Sequence, residues 1–422
     1  MINSLSIIFP CFNEEKTLRK CIEKVLEIAD ETLSLEIIIV DDGSSDQSLI
    51  IARELEDKYQ EIVDAFEDFK SDKVARNSRI QAIMSKMAVH AANLNNKLII
   101  VQAIGDIESI ELTNFSKTDT NEIVIEDINS NLSSITQTGE ILDLLMHKNH
   151  LYASYFNYSD SSNCRLLNIA EANIESDNFQ FNNLIEFDEC KGHSGGGRLK
   201  PFIKDGNEGL LITTSQNAPN FLNMKAQDDN SIYGKILFID LNTKEYEIFA
   251  KGFRNPQGLY VNNDLIIITE HGPRGGDEIN KILQNKNYGW PVASYGEPYG
   301  VGYGNRNIEF LLKNYYKKNH SSYGYEEPLY TFIPSIGISE IIKVSDKFHP
   351  KWSNNFLISS LGGRSLYRVK FDEKYSRVLL TEQIYIGRRI RDLIYSEKLD
   401  LIFLALEDFG QLGILKPKTI QN

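Results

Sequence analysis

From Lys97 onward the chain is built of short apolar runs separated by roughly ten residues, and this spacing constrains its fold more than any single motif. The runs include Leu98-Ile99-Ile100-Val101, Leu151 to Tyr155, Leu210 to Thr214 and Lys235 to Ile239. Leu265 to Thr269, Asn355 to Ser360, Ser365 to Val369 and Leu401 to Ala405 continue the series. Each is too short for an ordinary helix and rich in β-branched or aromatic residues, and Gly, Asn and Asp punctuate the gaps. Such a pattern fits a sandwich, a barrel or a propeller. About 325 residues are too many for one sandwich and suit roughly six blades of four strands with long loops. The fold class expected for 97–422 is therefore an all-β six-bladed β-propeller, on spacing alone, since strict sequence repeats are not visible.

The beginning of the chain has a different texture. Leu5 to Phe9 is an apolar run stopped by Pro10, and Lys16 to Ala29 carries Leu18, Cys21, Ile22, Val25, Leu26 and Ala29 at helical spacing. Glu36 to Val40 reads as a buried strand ending in Asp41-Asp42-Gly43-Ser44-Ser45-Asp46, and Ser48 to Tyr59 is again helical. This β-α-β-α order opens a parallel, Rossmann-like sheet, in which ligands sit beyond the carboxyl ends of the strands. Asn13, Glu14, Asp41 and Asp42 stand there. Singly, Asp46 reads as a helix cap and Asp41-Asp42-Gly43 as a turn. Gln60 to Asn95 is charged and helix-forming, so the expected organisation is an α/β segment at 1–59, a helical connector at 60–96 and the propeller at 97–422.

Charge and composition remove several classes of function. A formal net charge of −14 without a Lys/Arg-rich run excludes a general nucleic-acid binder. No apolar stretch approaches the roughly 18 residues of a membrane span. Leu5 to Pro10 is too short and lacks the cationic lead of an export signal, which gives a cytoplasmic expectation. Cys11, Cys21, Cys164 and Cys190 match neither zinc spacing nor a C-x-x-C motif. Buried free thiols are expected over a Cys164 to Cys190 bridge, which requires an oxidising compartment.

The densest chemistry lies between Gly252 and Pro291. Gly252-Phe253-Arg254-Asn255-Pro256-Gln257-Gly258-Leu259 is followed by Glu270-His271-Gly272-Pro273, Asp277-Glu278-Ile279-Asn280 and Asn287-Tyr288-Gly289-Trp290-Pro291. Upstream stand His193-Ser194-Gly195-Gly196-Gly197-Arg198-Leu199 and Tyr233-Gly234-Lys235-Ile236-Leu237, and downstream Arg389-Ile390-Arg391-Asp392. In order and spacing these motifs resemble the soluble quinoprotein aldose dehydrogenases, the glucose and sorbosone dehydrogenase family. The resemblance implies a six-bladed propeller that uses pyrroloquinoline quinone (PQQ) and calcium. It assigns His193 as the base for the sugar C1 hydroxyl, a role suited to an imidazole, and Arg254 to the quinone oxygen. Asn255 and Gln257 position the cofactor. The main-chain carbonyls of Gly272 and Pro273 bind the calcium that bridges PQQ, and Glu278 with Tyr288 make a second calcium site; oxygen ligands suit this hard cation. Arg389 and Arg391, alternate residues of one strand, pair with cofactor carboxylates, although taken alone they read as surface ion pairs. Relatives of this propeller usually work in the periplasm or outside the cell, against the cytoplasmic expectation.

The first segment carries a second resemblance. Pro10-Cys11-Phe12-Asn13-Glu14 and Asp41-Asp42-Gly43-Ser44-Ser45-Asp46 are similar to the motifs with which family 2, GT-A-fold glycosyltransferases hold a nucleotide-sugar. The resemblance ends near residue 60, before that family's metal-binding Asp-x-Asp and catalytic base.

Three features depart from the quinoprotein pattern. His193 stands five residues before Arg198 where the family has four, and the three glycines are expected to absorb the extra residue as a bulge. Gly362, in Ser360-Leu361-Gly362-Gly363-Arg364, replaces a cofactor-binding lysine. Losing that bond weakens PQQ about 10- to 100-fold, with Arg364 the candidate substitute. Phe332 to Gly337 replaces the segment near the quinone. The expected function is PQQ- and calcium-dependent oxidation of an aldose at C1 to the lactone, with electrons passed to an external acceptor. The alternatives are a degenerate propeller that binds a sugar or protein partner, and a glycosyltransferase acting through the first segment.

Overall fold

A computed structural model of the protein describes residues 4–11, 15–26, 34–41, 46–58, 62–64, 90–94, 97–101, 105–112, 125–136, 140–158, 164–175, 178–190, 195–216, 224–297, 316–396, 398–407 and 411–416. The chain divides into two compact units, Met1–Val74 and Ala75–Asn422. In the first, β1 (Ser4–Cys11), β2 (Ser34–Asp41) and β3 (Ile62–Asp64) pair in parallel in that order, with α1 (Leu18–Leu26) and α2 (Ser48–Lys58) between them in sequence. Ile22 of α1 and Leu55 of α2 are fully buried. Asp46 Oδ1 accepts the Ser48 N–H at 3.0 Å, the capping role its position suggested.

The second unit is a ring of six sheets. β4 (His90–Leu94), β5 (Lys97–Val101), β6 (Ile107–Glu111) and β7 (Ile125–Ser130) form the first blade. β8 (Glu140–His147), β9 (His150–Tyr158) and β10 (Arg165–Asn173) begin the second. β11 (Asn178–Phe179) returns to pair with β7, and β12 (Asn182–Glu186) completes the second blade beside β10. The third blade holds β13 (Gly196–Lys204), β14 (Asn207–Thr214), β15 (Lys235–Asp240) and β16 (Tyr246–Lys251). The fourth holds β17 (Pro256–Asn262), β18 (Leu265–Glu270), β19 (Asp277–Ile282) and β20 (Tyr330–Phe332). The fifth holds β21 (Ile338–Lys343), β22 (Phe356–Ser360), β23 (Ser365–Phe371) and β24 (Val378–Tyr385), and the sixth β25 (Ile390–Ser396), β26 (Leu401–Leu406) and β27 (Gln411–Leu415).

Blades are buried on both faces, which is why their middle strands read as unbroken apolar runs instead of alternating ones. In β14, Leu210 and Ile212 pack against the second blade while Leu211, between them, packs against the fourth. β15 does the same with Leu237 and Ile239 on one side and Ile236 and Phe238 on the other. The ring closes where Leu98, Ile100 and Ile110 of the first blade meet Leu401, Phe403 and Ala405 of the sixth.

The innermost strands share a distortion. β8, β13, β17, β21 and β25 each carry a bulge against their outer neighbour, between Ile141 and Asp143, Gly196 and Leu199, Pro256 and Gly258, Ile338 and Ile341, and Ile390 and Asp392. A bulge inserts one residue and re-aims the side chains around it. The β13 bulge is where the glycines are: Gly195, Gly196 and Gly197 all have positive φ, at 133°, 73° and 90°. A Cβ on Gly197 would come within 2.4 Å of Leu142, so this bend admits only glycine.

Two expectations are corrected. The stretch read as a helical connector, 60–96, contains strands at both ends, Ile62–Asp64 and His90–Leu94. Pairing with β2 and β5 overrides local helix preference there; residues 65–89 lie outside the described residues. Cys164 and Cys190 form a disulfide instead of remaining free thiols. The register that pairs Asn168 with Glu186 and Ile169 with Ile185, continued outward, sets the two cysteines opposite each other. Cys21 is an exposed free thiol, not a buried one, and the side chain of Cys11 lies outside the described residues. Among the described residues no helix is long and apolar enough to cross a membrane.

Candidate functional site

Two loops of the fourth blade are held by buried carboxylates. Glu270, at the end of β18, accepts the main-chain N–H groups of Arg254 and Asn255, fixing the turn that enters β17. Asp277, at the start of β19, accepts Gly272 N–H through Oδ1 at 3.0 Å and the N–H groups of Ile336 and Ile338 through Oδ2, both at 3.0 Å. The turn between these strands is so tight that a Cβ on Gly272 would lie 1.9 Å from the Gly276 carbonyl oxygen.

Between the loops is a cavity lined by Arg254, Glu270, Gly272, Pro273, Glu278 and Tyr288. All four residues assigned to calcium therefore reach one cavity, together with Arg254. Glu270 and Glu278 stand directly opposite each other across β18 and β19. Burial raises the pKa of both, and in Glu278 the facing Glu270 adds to the effect. Asn280 Nδ2 donates to Glu278 Oε2 at 3.2 Å and more distantly to Glu270 Oε2 at 3.5 Å, while its buried Oδ1 has no partner among the described residues. The Tyr288 phenol is occupied elsewhere, donating to the Lys281 carbonyl at 2.6 Å and accepting Leu283 N–H at 3.0 Å. Arg254 donates from Nη1 to the His271 carbonyl at 2.9 Å, and its guanidinium lies 5.6 Å from the Trp290 ring centre. Trp290 is buried and donates to the Gln216 carbonyl at 3.2 Å, the packing role its motif suggested.

The residues assigned to the cofactor form a second, connected group. Gln257 Nε2 donates to Asn255 Oδ1 at 2.9 Å, and Gln257 Oε1 accepts from Arg391 Nη1 at 3.2 Å. Arg391 and Arg389 both reach Glu407 Oε2, at 3.0 and 3.4 Å. Arg389 precedes β25 and Arg391 sits at its bulge, so they are not alternate residues of a regular strand as expected, yet both reach one protein carboxylate. Arg391 Nε is buried without a partner among the described residues. His271 joins the two groups: its N–H donates to the Asn255 carbonyl at 3.0 Å and its Nε2 is buried without a partner among the described residues. Burial, then Arg254 and Arg391, lower the imidazole pKa against the opposing effect of Asp277.

Other candidates fall elsewhere. Arg364 is exposed, its carbonyl accepts the N–H groups of Ile386 and Gly387, and no side-chain bond joins it to these residues among those described. A Cβ on Gly362 would lie 3.0 Å from the Ile336 carbonyl oxygen, a close but not closed approach. His193 lies outside the described residues. Its neighbour Gly195 is held against the site: a Cβ there would come within 2.4 Å of Asn255 Oδ1. In the first unit, Pro10 and Asp41 stand at the carboxyl ends of paired strands, Pro10 opposite Val40 and Asp41 opposite Cys11. Asn13, Glu14 and Asp42 lie outside the described residues.

Sequence reasoning did not assign Glu270, Asn280 or Glu407 to the site. Glu270 and Glu278 flank a hairpin, and Glu278 and Asn280 are alternate residues of one strand, so their convergence was readable only once the hairpin register was known.

The glucose/sorbosone dehydrogenase family model matches residues 89–413. The chain belongs to this family. A glycosyl transferase family 2 model matches residues 6–77. The aldose sugar dehydrogenase of Escherichia coli is 30% identical over 247 residues, 54% of this chain and 61% of that protein. The chain thus spans less than two thirds of this relative's length. A crystal structure of the soluble aldose sugar dehydrogenase from Escherichia coli, in the apo form, superposes with a TM-score of 0.61 at 20% identity, covering 80% of this chain and 97% of that one. The PQQ-bound aldose sugar dehydrogenase of Streptomyces coelicolor gives 0.52 at 16% identity, over 79% and 98%. At these identities the likenesses establish the six-bladed propeller. In the first segment, an uncharacterised glycosyltransferase of Escherichia coli is 34% identical over 84 residues, 20% of this chain and 24% of that protein.

Proposed function

We propose that the propeller oxidises an aldose at C1 to the lactone, using PQQ held with calcium, and passes the electrons to an external acceptor. The observation that carries this reading is the cavity at Arg254, where two opposed buried carboxylates lie beside one guanidinium. Opposed carboxylates in a buried site, hydrogen-bonded as they are, accommodate a hard divalent cation. The main chains of Gly272 and Pro273 would hold one such cation, and Glu278 with the main chain of Tyr288 a second. The adjoining Arg391, with an unmet Nε, and Arg389 suit the carboxylates of PQQ.

When bound, the quinone supplies a hydride acceptor and calcium the Lewis acidity that polarises it. The chain's own residues do the rest. Arg254, pinned by Glu270 and the His271 carbonyl, presents positive charge where negative charge develops. Asn255 and Gln257 are locked to each other and to Arg391, which orients them before any ligand arrives. His193 takes the C1 hydroxyl proton on an imidazole nitrogen, an assignment supported by the family motif. The Cys164–Cys190 bridge supports an oxidising compartment for this chemistry.

A degenerate, sugar-binding propeller is the second reading, favoured by Gly362 and by Glu407 already pairing with Arg389 and Arg391. PQQ titration of the calcium-loaded protein, followed by dye reduction with a panel of aldoses, separates the two. Saturable uptake with turnover is expected; absence of both ends the enzyme reading. His193→Ala should abolish turnover and spare PQQ uptake. A glycosyltransferase reading rests on the first segment alone, and uridine-nucleotide binding that survives deletion of residues 1–59 would remove its basis.

A further inference from the structure

Beside this cavity the inner strands meet around one arginine. Arg198, on β13, is 3% exposed. Its Nη1 lies 3.3 Å from Asp143 Oδ1 of β8, 3.0 Å from Glu340 Oε2 of β21 and 3.2 Å from Asp392 Oδ1 of β25. Its Nε donates to the Gln257 carbonyl of β17 at 2.7 Å, and its Nη2 to the Arg391 carbonyl of β25 at 3.3 Å. One guanidinium therefore touches the inner strands of four other blades, each at its bulge.

The carboxylates are held in turn. Asp143 Oδ2 accepts Leu199 N–H at 2.7 Å, Glu340 Oε1 accepts Ile341 N–H at 2.8 Å and Leu259 N–H at 3.3 Å, and Asp392 Oδ1 accepts Leu393 N–H at 2.9 Å. The two main-chain carbonyls that Arg198 grips belong to Gln257 and Arg391. These are the residues whose side chains bond each other at 3.2 Å on the cofactor side.

We infer that Arg198 is a positioning residue for the cofactor site: by bonding the main chains of Gln257 and Arg391 it sets the bulges that aim both side chains. This rests on the proposed PQQ reading for its ligand, but not for its geometry. A guanidinium fork can serve two carbonyls and three carboxylates together, whereas a lysine ammonium keeps the charge and lacks the fork.

The decisive comparison is wild type against Arg198→Lys, followed by hydrogen exchange and by PQQ titration of the calcium-loaded protein. Faster exchange confined to the β17 and β25 segments around Gln257 and Arg391 is expected, with PQQ affinity lowered roughly tenfold or more. Exchange that is unchanged there, or raised equally in every blade, overturns the inference. So does wild-type PQQ affinity in the variant. If Arg198→Lys does not fold, Asp392→Asn keeps the guanidinium but removes its partner beside Arg391. The same local exchange pattern is then expected, and its absence overturns the inference. Should the wild type itself take up no PQQ, the proposed function fails while the exchange measurement still decides the role of Arg198.

Discussion

The ring around Arg198 and the cavity beside Arg254 both bury carboxylates, and they surround them differently. In the ring, Asp143, Glu340 and Asp392 share a guanidinium and accept main-chain N–H groups. In the cavity, Glu270 too accepts main-chain N–H groups, those of Arg254 and Asn255, but it faces another acid, Glu278, with the Asn280 amide donating to both. Next to it, His271 Nε2, Asn280 Oδ1 and Arg391 Nε are buried and unmet among the described residues. Buried polar groups are costly unless bonded, so a satisfied cluster belongs to the scaffold and an unsatisfied one to a ligand.

This contrast can be broken most directly at Arg198. Replacement by methionine leaves three buried carboxylates without their cation and should cost on the order of 3–5 kcal/mol. Denaturant midpoints measure it, and a loss under about 1 kcal/mol would mean that the ring is not a structural hub. Next in size is the disulfide, which closes a separation of 26 residues. Reducing it should cost about 3 kcal/mol by loop-closure entropy, and an unchanged melting temperature under reductant would show that the second blade does not depend on it.

The cavity should behave in the reverse sense. Without calcium, Glu278→Gln replaces a buried acid whose ionisation burial and the facing Glu270 oppose, and should be neutral or stabilising by about 1–2 kcal/mol, and it should lose any melting-temperature rise that added calcium produces in the wild type. Clear destabilisation of the calcium-free variant would place Glu278 with the scaffold. The pH dependence carries the same logic. Burial lifts Glu270 from its ordinary 4.5 to about 7, so the folded state binds more protons than the unfolded state across that interval. Stability of the calcium-free protein should therefore fall as pH rises from about 4.5 through about 7, and calcium should flatten the decline. A rise over that range contradicts it. The smallest effect is expected from Trp290→Leu on Arg254, whose ring contact is worth about 0.5–1 kcal/mol beyond lost packing.

Much of this was legible in the sequence, for identifiable reasons. The runs at Leu210, Lys235, Leu265 and Leu401 became blade strands because both faces of each are covered, so apolar content and strand position coincide. Arg254, Gly272, Pro273, Glu278 and Tyr288 were found together because one hairpin and its flanking turns supply them. What escaped notice depends on register between segments. Cys164 and Cys190 meet through the pairing of β10 with β12, and Glu270 meets Glu278 through the pairing of β18 with β19. His90 to Leu94 has helix-forming alanines, and only its partner β5 makes it a strand.

The carboxylate of Asp277 has a consequence of its own. It holds Gly272 with one oxygen and Ile336 and Ile338 with the other, and so spans the turn at the proposed calcium site and the segment that departs from the family pattern. The Pro273 carbonyl and the Ser335 hydroxyl add a longer bond of 3.4 Å between the same two segments. Whatever orders one of these turns lowers the entropy left to lose in the other. If a cation is held at the Gly272 turn, as proposed, its binding and the order at Ile336 would be coupled through Asp277, and substitutions in the Phe332 to Gly337 stretch would then change cation affinity.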